Sequence, residues 1–117
     1  MEERIMFESI LESIRKQIGP TEVYEHFDQD LIMHINSILA VLTMNGVGPA
    51  EGFQITGPDE TWEDFIGNDN RMNMVVSYVG MRVKIIFDPP QSSAALEALK
   101  ENAKELGWYL GVAAEYN

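Results

Sequence analysis

The sequence predicts a mainly α protein: a small antiparallel bundle of about four helices, with a short extended segment and a one-turn helix in the middle. Two observations carry this expectation. Apolar residues recur at three- and four-residue spacing through four long segments, which is the period of a helix face. The punctuation is gathered at a few points, namely Gly19-Pro20, Asn45-Gly46 through Gly52, Gly57-Pro58 and Asp88-Pro89-Pro90, and these divide the chain into elements. A chain of 117 residues without a repeat, a low-complexity stretch or a linker reads as one domain, 1–117.

The first helix is expected from about Glu3 to Ile18. Phe7, Ile10, Leu11, Ile14 and Ile18 form its apolar stripe, and Glu8, Glu12, Arg15 and Lys16 take the other face. Acids early and bases late suit the helix dipole, and Gly19-Pro20 is the stop. The second helix is expected from about Asp30 to Met44, capped by Asp28 or Asp30 and closed by Asn45-Gly46. Apolar residues cover more than half of it, so it is either central and contacted on several sides or covered by a neighbouring subunit. Phe53-Gln54-Ile55-Thr56 reads as a short extended strand. Thr61-Trp62-Glu63-Asp64 reads as a capping box, with Asp in place of Glu, that opens a single turn through Ile66.

The third long segment, Met72 to Phe87, carries two patterns. Val79, Met81, Val83, Ile85 and Phe87 alternate as in a strand, while Met72, Val75, Val76, Val79, Val83, Ile86 and Phe87 fit a helical stripe. Its β-branched content favours a strand. Its length, without a turn signal, exceeds a typical strand and favours a helix. Gly80 in its middle suits a close helix crossing or a kink. Asp88-Pro89-Pro90 ends the segment, because proline disfavours helix before it and removes donors. A rigid turn this short makes the flanking helices antiparallel neighbours. The last helix, about Ala94 to Ala114, takes Ser92 or Ser93 as cap. Leu96, Leu99, Ala103, Leu106, Leu110 and Ala113 repeat in a narrow seam, and Gly107 and Gly111 invite a close approach.

Composition excludes several functions. Cysteine is absent, so disulfides and thiolate metal sites do not arise. The start of the chain lacks a basic then apolar leader, and no apolar run is long enough to span a bilayer, so a soluble intracellular protein is expected. The net charge is −11, from 19 acidic and 8 basic residues. A free-standing nucleic-acid binder needs a basic footprint that this chain does not have.

Candidate chemistry is sparse. Asp30 and His34 form an i, i+4 pair with His26 upstream, but no third ligand has a recognisable spacing, and a partly buried or interface histidine is the simpler reading. Glu60, Glu63 and Asp64 surround Trp62, which reads as a helix start anchored by an aromatic and not as an acid/base pair. Nucleophile elbows and phosphate loops are missing. Neither enzyme activity nor a cofactor or metal is expected.

Three stretches resemble a known family: "DLIMHINSILAVLTMNGVGPAEG" from Asp30 to Gly52, "TWEDFIG" from Thr61 to Gly67, and "YVGMRVKIIFDPPQSSAALEAL" from Tyr78 to Leu99. Together, in this order, they look like the small head–tail connector proteins of tailed bacteriophages, also described as head-completion or DNA-packaging adaptors, encoded by a phage or a prophage. The resemblance implies a helical fold, with the third segment a helix, and a structural role. It further implies a homo-oligomeric ring between the portal protein and tail-side adaptor proteins, at the head–tail junction of the virion, with DNA passing through the channel unbound. A ring of acidic chains repels itself, so apolar interfaces must offset the charge. Phe53, Ile55, Trp62, Phe65, Gly107, Trp108 and Tyr109 are expected to be exposed for this purpose, and Asp88, Pro89 and Pro90 to form a structural turn. The alternatives are an acidic interaction module, such as a DNA mimic or regulator, and a small metal-dependent enzyme built on His34.

Overall fold

The computed structural model describes residues 5–19 and 27–115, with side chains as far as Val112. Pro20, His26 and the Ala113 side chain therefore lie outside the described residues. A 3-10 turn at Ile5–Phe7 precedes five α-helices: α1 Ile10–Ile18, α2 Asp28–Met44, α3 Trp62–Ile66, α4 Met72–Phe87 and α5 Ser93–Glu115. The fold is mainly α, as the spacing predicts, and the ambiguous third segment is a helix over the length expected.

The first segment is not one continuous helix. Ser9 takes an extended conformation, and its side chain accepts from the Glu12 amide, capping α1 one turn later than the stripe implies. The backbone around the break is used elsewhere: the Ile10 amide donates to the Glu60 carbonyl (2.9 Å) and the Trp62 amide to the Glu8 carbonyl (3.3 Å). Those bonds form an antiparallel bridge between Ser9 and Thr61, so groups a helix would have consumed tie the chain start to its middle. Phe7 is displaced from the apolar stripe and stands 62 % exposed.

Helix α2 also differs at its start. Phe27 occupies the cap position without a side-chain bond, and Asp28 and Asp30 lie inside the first turn. The Arg15 guanidinium donates two parallel bonds to Asp28, from Nε and Nη2, and a third from Nη1 to Glu12. At the far end Gly46 (φ 90°) makes the left-handed exit that the Asn-Gly pair predicts.

Helix α4 is the hub, with α1, α2 and α5 packed around it and α3 against its side. The core holds Ile10, Leu11, Ile14 and Ile18 of α1 with Leu31, Ile35, Ile38, Leu39 and Leu42 of α2, packed on Val75, Val79 and Val83 of α4. Each fully buried aliphatic side chain contributes about 1.5–3 kcal/mol. The β-branched residues that resemble a strand in sequence are explained by this position: a helix surrounded on several sides must be apolar all round, and tertiary burial outweighs propensity. Gly80 leaves room on α4 for the Gln17 side chain of α1. A side chain there would collide with Gln17, whose amide reaches the Val76 carbonyl at 3.5 Å.

Helices α4 and α5 run antiparallel. Tyr78 lies against Gly107, and Arg82 and Ile85 share a groove with Ala103 and Lys100, so rising numbers meet falling ones. Between them the Asp88 amide closes on the Lys84 carbonyl (2.9 Å), and Ser92 caps α5 by accepting from Ala95 (3.2 Å). In the seam of α5, Ala103 and Leu110 are fully buried and Leu96, Leu99 and Leu106 half-buried. Gly107 packs tightly on Tyr78, whereas Gly111 faces open space.

The stretch Phe53–Thr56, expected as a strand, has no regular secondary structure and pairs with no strand among the described residues. A side chain takes the partner's place. The Asn36 amide donates to the Ile55 carbonyl (3.0 Å) and accepts from the Ile55 amide (2.8 Å), reproducing one rung of a ladder from the side of α2. Asn36→Ala leaves both groups of a buried residue without partners. It is expected to cost about 2–3 kcal/mol in urea unfolding, with hydrogen exchange accelerated first between Gly52 and Thr56.

Candidate functional site

Of the residues expected to be exposed, three are buried: Trp62 is 0 %, Ile55 2 % and Phe65 2 % accessible. The capping box explains the first. Thr61 and Asp64 exchange bonds (3.2 and 2.9 Å), which starts α3 with Trp62 aimed inward. The indole N–H then donates to Ser13 Oγ (2.8 Å), and the Ser13 hydroxyl donates to the Ile10 carbonyl (3.0 Å), so both polar groups are satisfied inside the core. Phe65 sits under Gly48 and against Phe53 (ring centroids 5.4 Å). These residues join α3 to α1 and to the loop after α2; they are not surface anchors on this chain. Phe53 itself is half-buried.

Trp108 and Tyr109 do stand out from α5, 63 % and 48 % exposed, with their rings edge to face at 5.2 Å. Tyr109 borders a groove of about 280 Å³ with Met81, Asn102, Glu105 and Leu106. Two further exposed apolar groups escape the sequence reading. Along α2, Met33, Val41 and Met44 are exposed on the side away from the core, and Met44 and Ala40 wall a groove of about 530 Å³ with Phe53. Around the end of α4, Phe27 and Phe87 pack edge to face (5.8 Å), and Ile86 beside them is 49 % exposed. The signal for the α2 group is present in the sequence, because Met33, Ala40, Val41 and Met44 form a second helical stripe off the Leu31–Leu42 one. No such signal marks Phe27, whose setting depends on the tertiary contact with Phe87.

His34 is half-buried with its ring near Phe87 (6.4 Å), and among the described residues no group of three or more His, Asp or Glu is placed to hold a metal ion. Partial burial pushes the Glu60 carboxyl up, and bonds from the Thr56 hydroxyl and amide (2.8 and 3.0 Å), with the Glu60 and Gly57 backbone amides, together outweigh it, leaving it below the ordinary value. Asp69 is held below the usual aspartate range by side-chain bonds from Arg71 (3.0 and 2.8 Å), against partial burial, with the Arg71 amide adding a third (2.8 Å). A depressed carboxylate stabilises the fold above its unfolded pKa and loses that share as pH falls through the folded one. Asp69→Asn is therefore expected to lower stability at neutral pH, with the gap to the parent closing in urea titrations below about pH 4.

Among the described residues no helix is long and apolar enough to cross a membrane. The acidic helical fold carries exposed apolar groups on α2, α4 and α5. A family model described as "phage connector protein" matches residues 10–117. The chain belongs to the phage connector protein family. No curated protein and no solved structure matches it. The match takes in all five helices and omits residues 1–9, which hold the 3-10 turn and the Ser9 cap of α1. A connector is a structural component of a phage, in keeping with exposed apolar groups on several helices.

Proposed function

We propose that this connector is one subunit of a closed ring, roughly a dozen copies in cyclic symmetry, set between the portal and the tail machinery. The family match over residues 10–117 carries this reading. The ring supports head completion after DNA packaging, and DNA passes through its channel without specific binding. The protein is made in the bacterial cytoplasm and resides at the head–tail junction of the virion, with portal and tail-side adaptor proteins as its neighbours.

Two physical features support the proposal. Trp108, Tyr109, Met33 and Met44 are large apolar side chains left in water on a chain of this size, and association would cover them. The net charge of −11 disfavours retention of DNA, since each phosphate neutralised by a cation adds salt-dependent affinity and an acidic wall adds none. Native mass spectrometry at high protein concentration, with negative-stain images of the same sample, tests the reading. A closed ring is the expected result. A chain that stays monomeric and also fails to bind an isolated portal ring would leave the acidic interaction module in its place.

A further inference from the structure

The cations of this acidic chain are unevenly used. Arg15 is closed by Asp28 and Glu12, Arg71 by Asp69, and Lys84 faces Asp88 at 3.8 Å. Arg82, Lys100 and Lys104 instead converge on one groove of about 450 Å³ between α4 and α5, together with Asn45 and Tyr78. Among the described residues Arg82 and Lys104 have no carboxylate partner, and Lys100 has only Glu97 at 3.8 Å on its own helix.

The groove is built and not merely charged. Tyr78 is 4 % exposed, and its hydroxyl accepts from Arg82 Nη1 at 2.7 Å while the guanidinium lies over its ring at 5.6 Å. That leaves the Tyr78 O–H proton to donate outward. Gly107 makes room for the ring: a Cβ there would stand 3.0 Å from Tyr78 Cε1. Lys100 and Lys104 lie one helical turn apart above it. The charged groups lining the groove are all cations, alongside a hydroxyl and an amide, and such a set matches carboxylate oxygens.

The opposite charge sits elsewhere on the chain. Asp59, Glu60, Glu63 and Asp64 place four acids within six residues, with no cation among them. Asp64 is spent on the α3 cap and Glu60 on Thr56, while Asp59 and Glu63 are exposed and their carboxylates make no hydrogen bond or ion pair among the described residues. This segment belongs to α3 and the loop before it, the groove to α4 and α5. A chain that carries both on separate elements is equipped for a head-to-tail contact with a copy of itself. Copies of net charge −11 also need a place where opposite signs meet if they are to pack side by side.

We propose that the Arg82–Lys100–Lys104 groove receives the Asp59–Asp64 acidic segment of a second copy of this chain. The proposal rests on the ring reading and deepens it by naming the groove and the segment that would face each other at the subunit boundary. Its test uses two charge-reversed variants of surface residues, K100E/K104E and D59K/E63K, whose thermal melts serve as fold controls. Each alone is expected to need about a hundredfold more protein to assemble than the parent, because like charges then face each other. Mixed in equal amounts they are expected to assemble, since every boundary in an alternating ring is again complementary. Variants that assemble like the parent, or a mixture that stays dissociated, would overturn the docking and leave the ring reading standing. A parent that neither self-associates nor assembles on a portal ring would sink both. A parent that binds a short DNA duplex through this groove, with K100E/K104E losing the duplex but not assembly, would make it a phosphate site and overturn the proposal.

Discussion

Trp62→Ala is expected to remove about 3–5 kcal/mol of stability, the largest loss of any single substitution considered. The side chain is 0 % exposed and its indole N–H is bonded to Ser13 at 2.8 Å. Truncation opens a cavity among α1, α3 and α4, and it strips the Ser13 hydroxyl of its donor. A domain of this size has only about 5–15 kcal/mol in total, so the variant should melt about 15 °C lower and fail to accumulate in quantity. Trp62→Phe separates the two contributions. It keeps most of the apolar volume and loses the hydrogen bond, so a cost of about 1–2 kcal/mol is expected in denaturant titrations. Equal losses in the two variants would show that the buried bond, not the packed volume, is what matters here.

Gly48→Ala is expected to cost about 2–5 kcal/mol, from two sources that a control separates. The residue has φ 92°, where a Cβ costs about 1–3 kcal/mol. A Cβ at this position would also lie 2.5 Å from Phe65 Cε1 and 2.8 Å from Cζ. The Phe65 ring is 2 % exposed and has no free direction in which to swing, so the overlap becomes displacement of α3. Gly52 is the control, because its φ is 99° and nothing lies within 4 Å. Gly52→Ala should lose only the backbone share, and the difference between the two variants in chemical unfolding measures the fit of Phe65 under the loop.

These two positions show what is legible in a sequence of this kind. The Thr61–Asp64 capping box is a local pattern with a fixed offset, and it forms as the residue types require. The direction in which that box sends Trp62 is not local: it follows from Ser9 bridging to Thr61, fifty-two residues apart in number but adjacent in space. For the same reason Ile55, Trp62 and Phe65 read as surface anchors in a loop-like, Gly- and Pro-rich stretch, yet they fill the core. Length decides α4 where propensity points to a strand, because a helix wrapped by its neighbours and a buried strand demand the same residues. Trp108 and Tyr109 are legible as exposed because they stand off the Leu99–Leu110 seam by helix geometry alone. The cationic groove is not, since Arg82 and Lys104 come together only when α4 and α5 fold back on each other at the Asp88-Pro89-Pro90 turn.

The two tryptophans end in opposite surroundings, one sealed and hydrogen-bonded at 0 % exposure and one in water at 63 %. Their emission therefore reports different events from the same cuvette. Trp62 emits at the blue end and shifts red only when the core opens, whereas Trp108 starts red and moves blue only when another molecule covers α5. Iodide divides the signal further, because a hydrated quencher reaches Trp108 and not Trp62. The chain thus carries, without any label, one optical gauge for its own folding and a second for its encounter with a partner.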